Sequence, residues 1–263
     1  MQIILENKAY KNSIKGSKIP YIPIKPALEG KIKPVKIPVT DFEEINAFDI
    51  NPGNSKKYII FLHGFSHNIT SNMNLYKSLL KTKFGILAID YRGYGKNPPS
   101  KNISQENIIE DINAAKAYLE SKGIKDIGLI GHSFGAYLAA KASSQNKFNF
   151  QLLVSPMLSL QFWYENVIKH PKKYKSENKL IKLVPRLRKM YSKVFDIKKY
   201  IKNNKTPTCI VHSKTDRYIS YKSIKSFLDE IHISKDVVIL PKGGHSMDDD
   251  KINAIKEILT NLK

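Results

Sequence analysis

Short, continuous runs of apolar residues recur along the chain with helix-like stretches between them, and this alternation constrains the fold most. A run without polar alternation, such as KYIIFLHG, predicts a strand that is buried on both faces. The stretch SQENIIEDINAAKAYLESKG predicts an amphipathic helix that Ser104 can cap and Gly123 can end. Strands that alternate with helices predict an α/β fold with a mostly parallel central sheet flanked by helices. The apolar runs are KYIIFLHG, FGILAIDY, DIGLIG, FQLLVSP, TCIVHS and DVVILP.

The alternation divides the chain into three segments. Residues 1–36 are rich in Lys and Pro, and their repeated X-Pro steps predict an extended N-terminal arm on the domain surface. Residues 37–157 and 206–263 form the predicted core. Residues 158–205 interrupt the alternation with a strongly basic stretch, and a long insertion in a compact domain is usually functional. We interpret this insertion as a basic helical lid.

The net charge of +21 admits two explanations. It could serve a polyanionic partner, or it could reflect a coding sequence that drifts toward Lys, Asn and Ile. Almost all basic residues are lysines, whereas recognition of phosphate or guanine usually recruits arginine, which favours the second explanation. We therefore expect no nucleic acid partner, and a weak association with anionic membrane surface stays as an alternative. The single cysteine, Cys209, excludes an internal disulfide, and we expect a cytoplasmic protein.

The motif Gly131-His132-Ser133-Phe134-Gly135 lies between a predicted buried strand and a predicted helix. In a G-x-S-x-G motif of this context the serine occupies a sharp, strained turn that exposes its hydroxyl at the sheet edge. The sequence therefore predicts Ser133 as a nucleophile, and the alternative is an ordinary strand–helix turn with a capping serine.

A serine hydroxyl needs a base, and the base needs an acid that orients it. His245 follows the last strand in the glycine-containing loop LPKGGHSM, from which its side chain can reach the sheet edge. Asp216 follows the strand TCIVHS and precedes a helix, so it is the candidate acid, although it could instead cap that helix. Asp248 and its two acidic neighbours lie too close to His245 in sequence and are predicted to cap the last helix.

An oxyanion hole requires two N–H donors. The backbone N–H of Phe134 opens the predicted helix after Ser133, and Phe65 lies in the loop HGFS directly after the KYIIFL strand. Both N–H groups are candidates. The histidine pair His63 and His67 is interrupted by Gly in a turn, so we predict no metal site and no cofactor.

The motifs HGFSHN, DYRGYGKN, GHSFG, SPM, VHSKTDRYIS and GGHS together resemble the α/β-hydrolase superfamily. The closest likeness is to its short-lidded microbial carboxylesterase, lysophospholipase-like and monoacylglycerol-lipase-like members. The resemblance covers about residues 37–263 and matches the lid only loosely. It implies a catalytic triad of Ser133, Asp216 and His245, with Phe65 and Phe134 as oxyanion donors. The absence of an HGGG run indicates a different or smaller acyl pocket.

These observations predict a serine hydrolase that cleaves a small-molecule carboxylic ester through an acyl-enzyme on Ser133. A thioesterase, amidase or peptidase could use the same triad, and a non-catalytic membrane-associated binding protein is a further alternative. Phe162 and Trp163 of the lid are candidates for the substrate pocket. The apolar lid residues could instead simply pin the insertion to the core while the lysines keep it soluble.

Overall fold

The computed structural model describes most of the chain, namely residues 10–11, 14–15, 17–18, 20–24, 26–51, 54–100, 103–161, 165, 168, 193–202, 204–231 and 235–262. The lid residues Phe162 and Trp163 lie outside the described residues, so their predicted place in a substrate pocket stays a prediction.

Within the described residues, eight strands form one sheet in the order β1-β2-β4-β3-β5-β6-β7-β8. β1 pairs antiparallel with β2 and β2 antiparallel with β4, while all pairs from β4 to β8 are parallel. The mostly parallel sheet predicted from the apolar runs is therefore confirmed. The strands are β1 (Ile32–Val39), β2 (Phe42–Ile50), β3 (Lys57–Leu62), β4 (Phe84–Ile89), β5 (Asp126–His132), β6 (Gln151–Val154), β7 (Thr208–Ser213) and β8 (Lys235–Leu240).

Helices cover both faces of the sheet. The described α-helices are α1 (Met73–Leu79), α2 (Gln105–Ser121), α3 (Phe134–Gln145), α4 (Lys198–Ile201), α5 (Tyr221–Glu230) and α6 (Asp249–Asn261). Two short 3-10 helices, η1 (Pro26–Leu28) and η2 (Ile69–Asn72), precede β1 and α1. None of the helices in the described ranges is long and apolar enough to cross a membrane.

The hydrophobic core lies on both sides of the sheet, as the continuous apolar runs predict. Ile60 and Leu62 of β3 join a cluster with α2 and α3, and Ile59 and Phe61 join a second cluster with α1 and α6. Full burial of a side chain of this kind stabilises the fold by about 1.5–3 kcal/mol relative to exposure. The central strands are thereby fixed, and with them the loops at their carboxyl ends.

The N-terminal arm differs from its prediction at two points. β1 begins at Ile32, inside the segment predicted as an arm, because an edge strand tolerates the missing N–H groups of Pro34 and Pro38. Tyr10 does not lie on the surface: it is buried, and its ring packs edge-on against the rings of Phe134 and Phe195. The arm therefore contributes to the core next to the residue that follows Ser133.

The described C-terminal part of the predicted lid packs on the core. The Leu160 N–H donates to the Val194 carbonyl at 2.8 Å, and the Ile197 N–H donates to the Leu158 carbonyl at 3.0 Å. Val194, Phe195 and Ile197 are buried in the same cluster as α3. For this part of the insertion, the apolar residues serve to attach it to the domain.

Candidate active site

Ser133 occupies the sharp turn between β5 and α3. Its φ of 55° lies in the left-handed region, which costs a non-glycine residue energy and persists only where the surroundings enforce it. Here the Ser133 N–H donates to the Val154 carbonyl at 2.9 Å, and the Ser133 carbonyl accepts from the Met157 N–H at 3.0 Å. Contacts from β6 and the segment after it thus hold the turn that aims the hydroxyl.

Two glycines of the motif allow the close approach of α3 to the sheet. A Cβ atom at Gly131 would lie 2.2 Å from the Gly135 carbonyl oxygen, and one at Gly135 would lie 2.0 Å from the Leu62 carbonyl oxygen. Both obstacles are backbone atoms, which cannot rotate away. The G-x-S-x-G spacing is therefore a steric requirement of this turn.

Gly135→Ala should lower the free energy of unfolding, because the added methyl group forces β3 and α3 apart. Overpacking of this kind costs about 1–3 kcal/mol. Urea denaturation of the purified variant measures the loss. Gly244→Ala is the matched control, since a Cβ there meets nothing within 4 Å. Equal unfolding free energies for the two variants would contradict the steric argument.

The three predicted triad side chains meet at the carboxyl edge of the sheet. The Ser133 hydroxyl lies 2.9 Å from His245 Nε2, and His245 Nδ1 lies 2.8 Å from Asp216 Oδ2. The Asp216 side chain is fully buried, whereas the His245 ring is 17% exposed. An imidazole that is partly open to solvent can exchange protons with a bound molecule or with water, and the buried carboxylate can hold it in one orientation.

Asp216 is held as an oriented carboxylate. Its Oδ1 accepts from the N–H groups of Tyr218 and Ile219 at 2.8 and 2.9 Å, which leaves Oδ2 for His245. Burial opposes its ionisation, but the contacts with His245 and the two N–H donors outweigh this and hold the pKa of Asp216 below its usual value. The alternative role as a helix cap belongs to Ser220, whose side chain accepts from the Ser223 N–H at the start of α5.

Three other histidines near the site are poor bases. Burial lowers the pKa of His132 to about 3, and burial also lowers the pKa of His67 and of His212 to about 4. His212 is buried in β7, and its Nε2 lies 3.1 Å from the Ile219 carbonyl oxygen. These three imidazoles are therefore neutral near neutral pH. Within the described ranges, no group of three or more His, Cys, Asp or Glu residues could hold a metal ion.

The two candidate oxyanion donors are the backbone N–H groups of Phe65 and Phe134, whose rings are in contact. Phe134 is the first residue of α3, so the helix itself supplies no acceptor for its N–H. Phe65 lies in the turn after β3, and its ring packs edge-on against the Phe134 ring with centroids 5.0 Å apart. The ring contact holds the two segments together, and the donor role of each N–H stays a prediction.

Sequence reasoning missed Tyr218, an aromatic side chain in contact with His245. Tyr218 is 57% exposed, and its ring centroid lies 5.2 Å from that of His245. It borders a small pocket of about 80 Å³ between the segments that follow β6 and β7. The residue follows Asp216 by two positions, which is the only sequence signal for it. The pocket is lined by Leu158, Ser159, Gln161, Glu165, Tyr218, Ile219, Ser220 and Ser223.

Comparison with known proteins agrees with this architecture. Residues 57–160 match the family model described as alpha/beta hydrolase fold. An esterase of Pyrococcus furiosus superposes with a TM-score of 0.74 at 20% identity, covering 91% of this chain and 94% of that one. Est1E of Butyrivibrio proteoclasticus, solved with ferulic acid, gives a TM-score of 0.64 at 16% identity over 86% and 96% of the two chains. The chain has the α/β-hydrolase fold, and the resemblance predicted from its motifs is confirmed.

Sequence relatives match only part of the chain. "Putative esterase/lipase 2" of Mycoplasma pneumoniae is 26% identical over 123 residues, which are 46% of this chain and 45% of the relative. A proline iminopeptidase of Pestalotiopsis fici is 30% identical over 107 residues, which are 38% of this chain and 37% of the relative. The chain therefore matches less than half the length of either relative.

Proposed function

We propose that this protein is a serine hydrolase that cleaves carboxylic esters through an acyl-enzyme on Ser133. The observation that carries the proposal is the continuous line of hydrogen bonds from Ser133 through His245 to Asp216. Nucleophile, base and orienting acid each stand within hydrogen-bond distance of the next, which is the geometric requirement for activating a hydroxyl.

The reaction begins when Ser133 Oγ attacks the ester carbonyl carbon and His245 Nε2 takes the hydroxyl proton. The carbonyl oxygen becomes an oxyanion, for which the N–H groups of Phe65 and Phe134 are the proposed donors. Collapse of the tetrahedral intermediate breaks the bond to the alcohol, which leaves with the proton from His245. Water then adds to the acyl-enzyme by the same steps, releasing the acid and restoring Ser133.

The charge of Asp216 supports the imidazolium that forms in each half of this cycle. Because the pKa of Asp216 is held below its usual value, it stays a carboxylate at neutral pH. A buried negative charge 2.8 Å from Nδ1 favours both the protonated ring and the tautomer that leaves Nε2 free to accept.

The pocket bordered by Tyr218 is a candidate for binding part of the substrate, because the Tyr218 ring also contacts the His245 ring. Most of its lining is polar, namely Ser159, Gln161, Glu165, Ser220 and Ser223. Such a lining suits a polar group better than a long alkyl chain.

A peptidase is the second candidate, because one of the relatives is a proline iminopeptidase at 30% identity. The same triad can attack an amide, and the fold does not decide between the leaving groups. The amine that leaves from an amide is a poorer leaving group than an alcohol and must be protonated as it leaves. The two candidates therefore differ in the substrate that the enzyme turns over.

The proposal predicts that the purified protein hydrolyses p-nitrophenyl esters and reacts covalently with a fluorophosphonate probe at Ser133. A panel from acetate to long-chain esters, set beside proline p-nitroanilide, measures the preferred bond and acyl length. Peptide mapping by mass spectrometry locates the label. Faster turnover of the anilide than of every ester would favour the peptidase. Absence of both labelling and turnover would refute the serine hydrolase.

A further inference from the structure

The loop that carries His245 is fastened to β7 on one side. The Ser213 hydroxyl donates to the Lys242 carbonyl at 2.7 Å, and the Thr215 hydroxyl donates to the Gly243 carbonyl. These contacts fix the residues that enter the loop. They do not reach Gly244 or His245, so other contacts must orient these two residues.

An ion pair at the start of α6, between a buried lysine and a partly exposed aspartate, holds the peptide groups around Gly244. The Lys251 side chain is fully buried, and its ammonium donates to the Gly244 carbonyl at 2.6 Å and to Asp248 Oδ2 at 2.9 Å. The same Oδ2 accepts from the Gly244 N–H at 3.1 Å. Both backbone polar groups of the residue before His245 are therefore bound by one pair of charges.

The burial of Lys251 makes this pair more restrictive than a pair between two exposed side chains. A buried ammonium is costly unless it is paired and hydrogen-bonded, so separation from Asp248 would leave the charge of Lys251 uncompensated. Asp248 is also fixed independently, because its Oδ1 accepts from the Lys251 N–H as the N-cap of α6. The helix terminus thus provides a rigid support.

A third contact holds the peptide on the far side. His132, next to the nucleophile, donates from Nε2 to the His245 carbonyl oxygen at 2.8 Å. The backbone of His245 is therefore bounded by the nucleophile turn at its carbonyl and by the ion pair at the preceding residue. Between these two supports, the imidazole projects to Ser133.

We propose that Lys251 and Asp248 form a positioning pair that sets the orientation of the His245 imidazole toward Ser133, an inference that rests on the proposed function. Neither side chain touches the reacting atoms. Their effect is on the geometry of proton transfer, for which a misplacement of about 1 Å can cost on the order of 10²-fold in rate.

The double variant Lys251→Met/Asp248→Asn tests the pair, because it removes both charges together and leaves no uncompensated one. We expect kcat for p-nitrophenyl acetate to fall about tenfold or more with KM little changed, since a displaced base slows chemistry rather than binding. The fluorophosphonate labelling rate should fall in parallel. The matched control is Asp250→Asn, which neutralises an exposed acid in the first turn of the same helix.

A proton NMR readout makes the test independent of turnover. The His245 Nδ1–H bonded to Asp216 should give a downfield resonance in the wild type and in Asp250→Asn, and it should broaden or vanish in the double variant. If the wild type shows the resonance without any hydrolysis, the proposed function fails while the positioning test still stands. A folded double variant with wild-type kcat and an unchanged resonance would overturn the positioning role. The single variant Lys251→Met leaves the Asp248 carboxylate without its ion-pair partner. It should therefore also lower the midpoint temperature of thermal unfolding.

Discussion

Ser133→Ala should reduce ester hydrolysis by on the order of 10³-fold or more while leaving the fold intact. The substitution removes the oxygen that is proposed to form the acyl bond and adds no other atom. It keeps the Cβ, so the left-handed backbone at this position carries no new strain. The residual rate should come from the oxyanion donors and substrate binding acting on water. Measurement of kcat/KM with a p-nitrophenyl ester, beside the thermal unfolding midpoint, separates loss of chemistry from loss of structure.

Ser155→Ala is a closely matched control for that experiment. Ser155 is also buried, follows the neighbouring strand β6 and has a positive φ of 43°. Its hydroxyl has no hydrogen-bond partner among the described residues. The Ser155→Ala variant should therefore keep wild-type activity and probe labelling. A Ser133→Ala enzyme that retained more than about a tenth of the wild-type turnover would show that another residue is the nucleophile.

The sheet could be predicted from the sequence because its signal is local. Strands buried on both faces need continuous apolar runs, and helices between them need a periodic stripe, so each element appears in its own stretch of residues. The helix predicted over SQENIIEDINAAKAYLESKG is α2, Gln105–Ser121, and Ser104 caps it as predicted. The start of β1 is harder to predict, because Pro34 and the X-Pro steps before it indicate an arm unless the strand is known to lie at the sheet edge.

The meeting of Ser133, Asp216 and His245 could be anticipated from topology. Each follows a predicted strand, and the carboxyl ends of parallel strands share one edge of the sheet. The residues that hold the His245 loop could not be anticipated in this way. Lys251 is one lysine among many in the sequence, and only its burial distinguishes it. Only the packing of α6 against the sheet places its ammonium at the Gly244 carbonyl. His132 likewise carries no sign in the sequence of its contact with the His245 carbonyl.

Asp216→Asn should lower kcat by on the order of 10²- to 10⁴-fold at neutral pH. The amide can keep the hydrogen bonds to the Tyr218 and Ile219 N–H groups through its oxygen, so the loop after β7 should retain its shape. Its NH₂ group would then face His245 Nδ1 and donate to it. That arrangement favours the tautomer with the proton on Nε2, which cannot accept the proton of Ser133. The variant also lacks the charge that stabilises the imidazolium. The pre-steady-state rate of p-nitrophenol release measures the effect on acylation.

The pH dependence of the free energy of unfolding gives a second, independent measurement on the Asp216→Asn variant. The pKa of Asp216 is lower in the folded protein than its usual value, so the folded state favours the carboxylate. Its contribution to the free energy of unfolding is therefore present above the usual carboxyl range and is lost as pH falls through the folded pKa. Asp216→Asn should lack this acid-dependent part, whereas Asp229→Asn, which replaces an exposed acid in α5, should keep it together with wild-type activity. If Asp216→Asn turned over ester at a rate close to that of Asp229→Asn, a different acid would have to orient His245.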